Sequence, residues 1–448
     1  MSQPSFSQQI ANMINQKEWA GVSDTIKDLA PQEFADIISL IWNYTNKIRF
    51  FKTISDEVKS KVFPYLQDDF QELLLEKLSL KTVKHILLNL EPDDRTAILE
   101  YLHKDRRIKL LKLLPQEELK ESKKLLSYPE ESIGRLMTPE FVAVSPNWKI
   151  RYALNYIRKV GQDKETISTI YVVDKYNNLI DDIRLRKLIL ASPEKKIENI
   201  MDNTFVALNA YSDREEAVKL MKKYDQFALP VVDNGVLVGI VTFDDVFDVA
   251  EEEITEDIHK QSGVTPFEIN YMSASIFEIY KSRVGWLLLL LVGSFISTSI
   301  IAHFSFAIES VVALSFFIAV LIGSGGNVGT QSSALIIRAM AIGDFRLIQW
   351  KKLFIKELII GALLGLSLGL ALYIRAYLMK GARVVSYVAS VAIFFVVVWA
   401  NLIGAILPLV LKKIKMDPAV VSSPLITTII DSSGLMIYFL IAKLILKF

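Results

Sequence analysis

Cysteine is absent from this 448-residue chain, which excludes disulfides and thiolate metal sites. Histidine occurs only four times, so a metal centre built on imidazole has few ligands to draw on. The opening stretch, MSQPSFSQQIANMINQKEW, lacks the basic start and the apolar core of a secretory leader. The charged part of the chain is therefore expected to stay in the cytoplasm. A net charge of +1 says little about partners, because it averages two unlike halves. Up to about Ser282 the sequence is mixed and highly charged, and after Val284 it becomes a series of long apolar runs. Those runs account for an apolar fraction of 51 % and a mean hydropathy of +0.32.

Five spans are expected, at about residues 284–304, 311–323, 353–373, 384–411 and 422–446. With the N-terminus inside, the inner flanks carry Lys281, Arg283, Arg338, Arg346, Lys351, Lys352, Lys356, Lys412, Lys413 and Lys415. The outer flanks carry only Arg375, Lys380, Arg383, Lys443 and Lys447. This excess predicts a cytoplasmic N-terminus and an external C-terminus. The second span runs into GSGGNVGTQSS, from Gly323 to Ser333. Two readings stand: a broken helix whose bare backbone lines a pore, or a tight turn before a helix that starts near Ser332. Glu309 and Glu357, near span ends, read as facing a mouth or a helix interface.

The last span, ITTIIDSSGLMIYFLIAKLIL, carries one carboxylate, Asp431, and no Lys or Arg stands between Lys415 and Lys443. A charge at that depth costs roughly 2.5–3.5 kcal/mol on insertion scales. Thr427, Thr428 and Gly434 flank it at helical spacing, with Ser432 and Ser433 adjacent. One formal negative charge in a polar stripe suits a cation path, the alternative being a protonated side chain held against a neighbouring helix.

Two stretches between about Ser132 and Ala250 repeat each other. IGRLMTPEFVAVSPNW leads to TIYVVDKYNNLIDDIRLRKLIL, and IENIMDNTFVALNAYSD leads to ALPVVDNGVLVGIVTFDDVFDV, with Met137 and Met201 in corresponding positions. Each unit reads strand, helix, strand, turn, strand, helix, a pattern that looks like a pair of CBS modules. In the second unit Gly239, Thr242 and Asp245 match the GxxTxxD pattern that holds a nucleotide ribose in such modules, which makes ATP or another adenine nucleotide a candidate ligand. The first unit departs from it, with Asp182 where Gly is expected and Lys187 where Asp is expected. Residues 1–130 read as an irregular helical repeat. LAPQEFADIISLI, LEPDDRTAILEYL and LLPQEELKESKKLL each place Pro31, Pro92 or Pro115 just ahead of acids, a helix-start signal. Between the second module and the membrane lie Asp244, Asp245, Asp248, Glu251, Glu252, Glu253, Glu256 and Asp257 without a single Lys or Arg. Such a run reads as a solvated acidic helix or as a clamp for divalent cations, whose oxygen-only ligands suit magnesium or calcium.

Taken together these parts resemble the MgtE magnesium transporters. The resemblance covers nearly the whole chain, and its most specific pieces are GSGGNVGTQSSALIIRAMA, WANLIGAILPLVLKKIKMDPAV and IIDSSGLMIYF. It implies a multidomain membrane protein: an all-α helical N-terminal domain (residues 1–130), an α/β tandem CBS pair (131–250), an acidic connecting, plug-like helix (251–282) and a five-helix α transmembrane pore domain (283–448). It further implies a homodimeric channel of the plasma (inner) membrane, moving Mg2+ into the cytoplasm. Carried over, Asp431, the backbone at Thr427, and Gly326, Asn327 and Gly329 belong to the pore. Asp94, Asp213, Glu215, Asp225, Asp245, Asp248, Glu253 and Glu256 become the acids that sense cytosolic Mg2+. One carboxylate per chain also fits an ion that keeps most of its waters, although Co2+, Ni2+ and Mn2+ are alternatives. No enzymatic activity and no nucleic-acid partner are expected. An intramembrane aspartyl protease would need a second membrane aspartate. A CBS-controlled anion channel would want basic pore residues. A membrane-tethered CBS sensor without transport would leave GSGGNVGTQSS and Asp431 without a role.

Overall fold

The structure is a computed structural model and describes residues 5–19, 22, 26, 29–266, 271, 274–341, 349–378, 383–420 and 422–447. Arg346 and Lys380, used above for orientation, lie outside these residues. The chain divides into two compact units, Met1–Glu252 and Glu253–Phe448.

The first unit begins with helices α1 (Phe6–Asn15), α2 (Pro31–Leu40), α3 (Tyr44–Thr53), α4 (Asp56–Val62), α5 (Asp68–Lys77), α6 (Leu80–Asn89), α7 (Pro92–Tyr101), α8 (Lys104–Leu111) and α9 (Gln116–Leu125). Short polar side chains start several of them. The Ser55 hydroxyl accepts from Val58 N at 3.3 Å, and Ser79 accepts from Thr82 N at 3.2 Å. Pro31 and Pro92 open α2 and α7, whereas Pro115 is the residue just before α9. Phe34, Phe50, Phe51, Phe63 and Phe70 fill one shared core with the leucines and isoleucines of these helices.

The repeat then folds as two modules. The first is α10 (Ile133–Leu136), β1 (Ala143–Val144), α11 (Ile150–Val160), β2 (Thr169–Val173), β3 (Leu179–Arg184) and α12 (Leu185–Leu190). The second is β4 (Leu208–Asn209), α13 (Glu215–Tyr224), β5 (Ala228–Asp233), β6 (Val236–Thr242) and α14 (Phe243–Gln261). Each module has a three-stranded sheet in sequence order, one parallel pair followed by one antiparallel pair. The segments ahead of the sheets are exchanged. Met137 packs in the core of the second module with Leu229 and Val241, and Met201 packs on the core of the first. Thr138 bonds Ile240 in both directions at 2.9 Å. Gly239 is glycine because a methyl there would stand 2.7 Å from Met137 Sδ.

Helix α14 crosses the division between the units. It starts at Phe243 and stops at Gln261, so the connecting segment is not one helix over residues 251–282. Gly263, at φ +70°, turns the chain after it, a conformation that L side chains resist. By Ile276 the next helix has begun.

The second unit contains α15 (Ile276–His303), α16 (Ser305–Ser310), α17 (Ser315–Ala341), α18 (Trp350–Tyr377), α19 (Arg383–Lys413) and α20 (Ser423–Leu446). Among the described residues five helical stretches are long and apolar enough to cross a membrane: Ile276–His303, Val312–Ala341, Trp350–Tyr377, Val384–Lys413 and Ser423–Leu446. The glycine-rich segment corrects both readings of it. Gly323 to Ser333 is neither broken nor a turn but the interior of the unbroken helix α17. Its glycines let neighbouring backbones approach. Gly329 lies against Gly404 of α19 and against Ile426 and Ile430 of α20. On α18, Gly361, Gly365 and Gly369 do the same against α19, where a methyl on Gly365 would stand 2.9 Å from the Phe394 carbonyl oxygen. Replacing Gly365 by Val should destabilise this helix pair by about 1–3 kcal/mol. The check is the midpoint of detergent unfolding, with Gly285→Ala as the control, since nothing lies within 4 Å of that position.

Candidate functional site

In the membrane unit, α20 opens with Ser422 as its cap and Pro424 in its first turn. The Pro424 carbonyl accepts from the Thr427 and Thr428 hydroxyls, each at 2.9 Å. One turn later comes Asp431. It is half-buried, and among the described residues its carboxylate makes no hydrogen bond or ion pair. The α17 backbone faces it: a methyl on Gly326 would stand 4.0 Å from Asp431 Oδ1 and 3.1 Å from Thr427 Cγ2. Asn327, the next residue of α17, is exposed, and so is Gln331 one turn on. Asn327 therefore differs from Gly326 and Gly329, which are both buried in helix packing. The serines beside Asp431 are engaged elsewhere. Ser432 meets Ser297 of α15 at 2.9 Å, and Ser433 accepts from Trp399 Nε1 at 2.9 Å. The site thus offers one free carboxylate and exposed amides to a cation.

Glu357, the acid of α18, is tied down. Glu357 is buried at the junction of α17, α18 and α19. Asn401 Nδ2 donates to its Oε2 at 2.9 Å and to its backbone carbonyl at 2.8 Å. The Ser332 hydroxyl donates to the Asn401 carbonyl at 3.0 Å. Of the two settings expected for Glu357, the helix interface is the one found.

The soluble unit gathers acids with no regard to their distance in sequence. Asp94, in the first turn of α7, lies within electrostatic reach of Glu91, Asp244, Asp245 and Asp248. Burial, reinforced by these like charges, pushes its carboxyl up to about 7. Burial does the same to Asp245, to about 6, even though the Thr242 hydroxyl donates to it at 2.6 Å. Asp248 is raised too, by burial and then by Glu251 and Asp244. Sequence reasoning missed three members of this group. One oxygen from each of Glu91, Asp93 and Glu165 lies within 4.8 Å of the others. Burial, and then Glu91, raise Glu165 to about 8. Asp93 is raised well above the usual carboxylate range, by burial first and then by Asp245. Asp93 Oδ1 is buried without a hydrogen-bond partner. Such an atom among raised acids fits an oxygen-ligated cation. Glu91 and Asp93 sit inside the LEPDDR motif, but Glu165 is in a loop of the first module that carries no pattern.

Of the remaining candidate acids, Asp213, Glu215 and Glu256 have local partners. Asp213 Oδ1 accepts from Glu215 N at 2.8 Å, and Glu215 pairs with Lys219 at 2.8 Å. Asp225 ends α13 in the left-handed conformation. Glu253 and Glu256 belong to the last turns of α14, and Glu256 pairs with Lys260 at 2.6 Å. Next to the acid group is a cavity of about 300 Å³ lined by Glu165, Thr166, Phe227, Thr242, Phe243 and Asp244. Thr242 faces it, whereas Gly239 packs on Met137 and Asp245 bonds Thr242.

Known proteins share these parts in the same order. A family model described as a divalent cation transporter, MgtE, matches residues 318–441. The MgtE intracellular N domain matches 23–131, and the CBS domain matches 133–194 and 197–252. A protein of Thermus thermophilus named magnesium transporter MgtE is 42 % identical over 340 residues, covering 76 % of this chain and 75 % of the relative. A Bacillus subtilis protein of the same name is 32 % identical over 419 residues, covering 93 % and 92 %. The crystal structure of the cytosolic domain of the Mg2+ channel MgtE in complex with ATP is similar to 55 % of this chain and is covered completely, at 30 % identity and a TM-score of 0.50. With relatives this similar along most of its length, matched in the helical domain, the CBS pair and the membrane helices alike, the chain belongs to the MgtE family.

Proposed function

We propose that this chain is a magnesium-selective channel that admits Mg2+ to the cytoplasm down its electrochemical gradient. The observation that carries the reading is the unpaired, half-buried carboxylate of Asp431 beside Gly326. A magnesium ion dehydrates reluctantly and keeps several waters, so one carboxylate per chain with amides and hydroxyls nearby suits it. The exposed polar stripe of Asn327 and Gln331 supports a water-filled path on that face, closed by a second copy in a homodimer of the inner membrane. The N-terminus is cytoplasmic and the C-terminus external in this reading.

The acid group of the soluble half supplies the control. At low cytosolic Mg2+ the mutual repulsion of Asp93, Asp94, Glu165, Asp245 and Asp248 loosens the domains they join, and Mg2+ bridging them draws the domains together and shuts the path. Effector ions act this way only by binding the closed arrangement better. Asp213, Glu215, Asp225, Glu253 and Glu256 are further effector ligands in this reading. The cavity against Phe227, Thr242 and Phe243 fits the nucleoside end of an adenine nucleotide, and the ATP complex of the relative's cytosolic domain supports that occupant.

Liposomes holding the purified protein and given an inward Mg2+ gradient should take up the ion, and Asp431→Asn, folded and dimeric, should not. Equal uptake by both would remove Asp431 from the path.

The acid group makes a second prediction. Its carboxyls are raised, so the stability they permit is complete below about pH 4 and is lost as pH rises through 6, 7 and 8, the values for Asp245, Asp94 and Glu165. Without divalent ions, the soluble half of the intact protein should be cut faster by protease at pH 8 than at pH 6. Mg2+ should abolish the difference and displace protons as it binds. Asp94→Asn with Asp245→Asn should weaken both the pH effect and the protection, leaving the part that Glu165 and Asp93 supply.

A further inference from the structure

The end of α14 is tied to the start of α20 at two places within the membrane unit. Lys260, in the last turn of α14, reaches Asp417 at 2.7 Å. Asp417 in turn accepts from Ala419 N at 2.8 Å in the short turn that leads to α20. The second tie is tighter and runs through a ring. Gly263 sits directly on the Trp286 indole, so close that a methyl there would stand 2.5 Å from Trp286 Cδ1 and 2.6 Å from Nε1. Trp286 Nε1 donates to the Ser422 hydroxyl at 3.0 Å. Ser422 is fully buried, and its hydroxyl accepts from Leu425 N at 3.3 Å as the cap of α20. Thr265 N, just past the turn, donates to Ser282 O at 2.9 Å and holds the segment against α15.

We propose that Trp286 is a positioning residue that carries any displacement at the end of α14 to the start of the helix that bears Thr427 and Asp431. The physical basis is the absence of slack. Gly263 has a left-handed conformation and no side chain, so the chain after α14 lies on the indole with no room for a Cβ. The indole has one donor and spends it on Ser422. Ser422 fixes the first turn of α20, and Asp431 follows nine residues later in an uninterrupted helix, ~13 Å along its axis. A helix transmits a shift at its cap as a rigid body, so a tilt at Ser422 changes the gap between Asp431 and Gly326. Trp286 itself touches no ion in this scheme.

The inference rests on the proposed inhibition by cytosolic Mg2+, and one set of recordings separates the two. Currents through the full-length protein in giant liposomes are measured against Mg2+ on the cytosolic face. Trp286→Phe keeps a ring under Gly263 and removes the donor. It should raise the half-inhibiting Mg2+ concentration by about three- to tenfold, the worth of one hydrogen bond, and leave the unitary current unchanged. Ser422→Gly removes the acceptor at little cost to a helix cap and should give the same shift, which also covers the case in which Trp286→Phe does not fold. The double variant should shift no further than either single one. Wild-type inhibition with the same half-inhibiting concentration in both variants overturns the role of Trp286 alone. A changed unitary current without a shift also overturns it, because the ring would then serve the path itself. A wild-type channel that conducts but ignores cytosolic Mg2+ overturns the control reading and this inference with it.

Discussion

A carboxylate inside an apolar helix must be met by a counter-charge, by water or by a proton. Asp431 has no counter-charge among the described residues, and the membrane unit is arranged around that condition. The α17 backbone reaches the carboxylate because Gly326 has no side chain to keep it away. Gly329 and Gly404 bring α17 onto α19, and the glycine row of α18 brings that helix onto α19 from another side. Glu357 of α18 is bonded by an amide and cross-ties three helices. The two acids contrast: Glu357 is bonded within the fold, and Asp431 has no hydrogen-bond or ion-pair partner among the described residues.

The soluble unit repeats the same condition with more groups. Carboxylates from α7, from a loop of the first module and from the start of α14 are held together against their mutual repulsion. An ordinary ion pair would settle this, and the same unit makes such pairs elsewhere, between Arg95 and Glu121 at 2.6 Å and between Arg135 and Glu100 at 2.9 Å. Burying like charges costs free energy unless a cation joins them. Both halves of the protein are therefore electrostatically incomplete in a way that a small divalent ion would complete.

Much of this was legible in the sequence, and the limits have physical reasons. Apolar runs gave the number of spans because a helix in lipid must satisfy its own backbone and so needs a long apolar stretch. The repeat gave the two modules, since each has its own alternation of strand and helix. Asp431 stood out because a lone charge at that depth is costly. The glycine-rich segment was misread because glycine marks a break in water but close packing in lipid, and local sequence does not tell these apart. The extent of the connecting helix was overestimated because nothing in its charge run signals where Gly263 turns the chain. Glu165 was invisible for another reason: its role depends on which loop the fold brings to Glu91 and Asp93. Asp245 and Asp248, one turn apart on a helix, could be paired from spacing alone, but their neighbour Asp94 could not.

The exchanged segments ahead of the two sheets carry a consequence for how the soluble half is made. Met137 is completed by a sheet that is synthesised about a hundred residues later, and Met201 closes the core that precedes it. Neither module is whole until the other exists, so a nascent first module leaves the ribosome with its leading segment, around Met137 and Thr138, unmatched. The CBS pair is then one cooperative folding unit with two internal repeats. A gene fragment cut between the repeats would divide a single core, and recombination would be expected to move the pair and never one half.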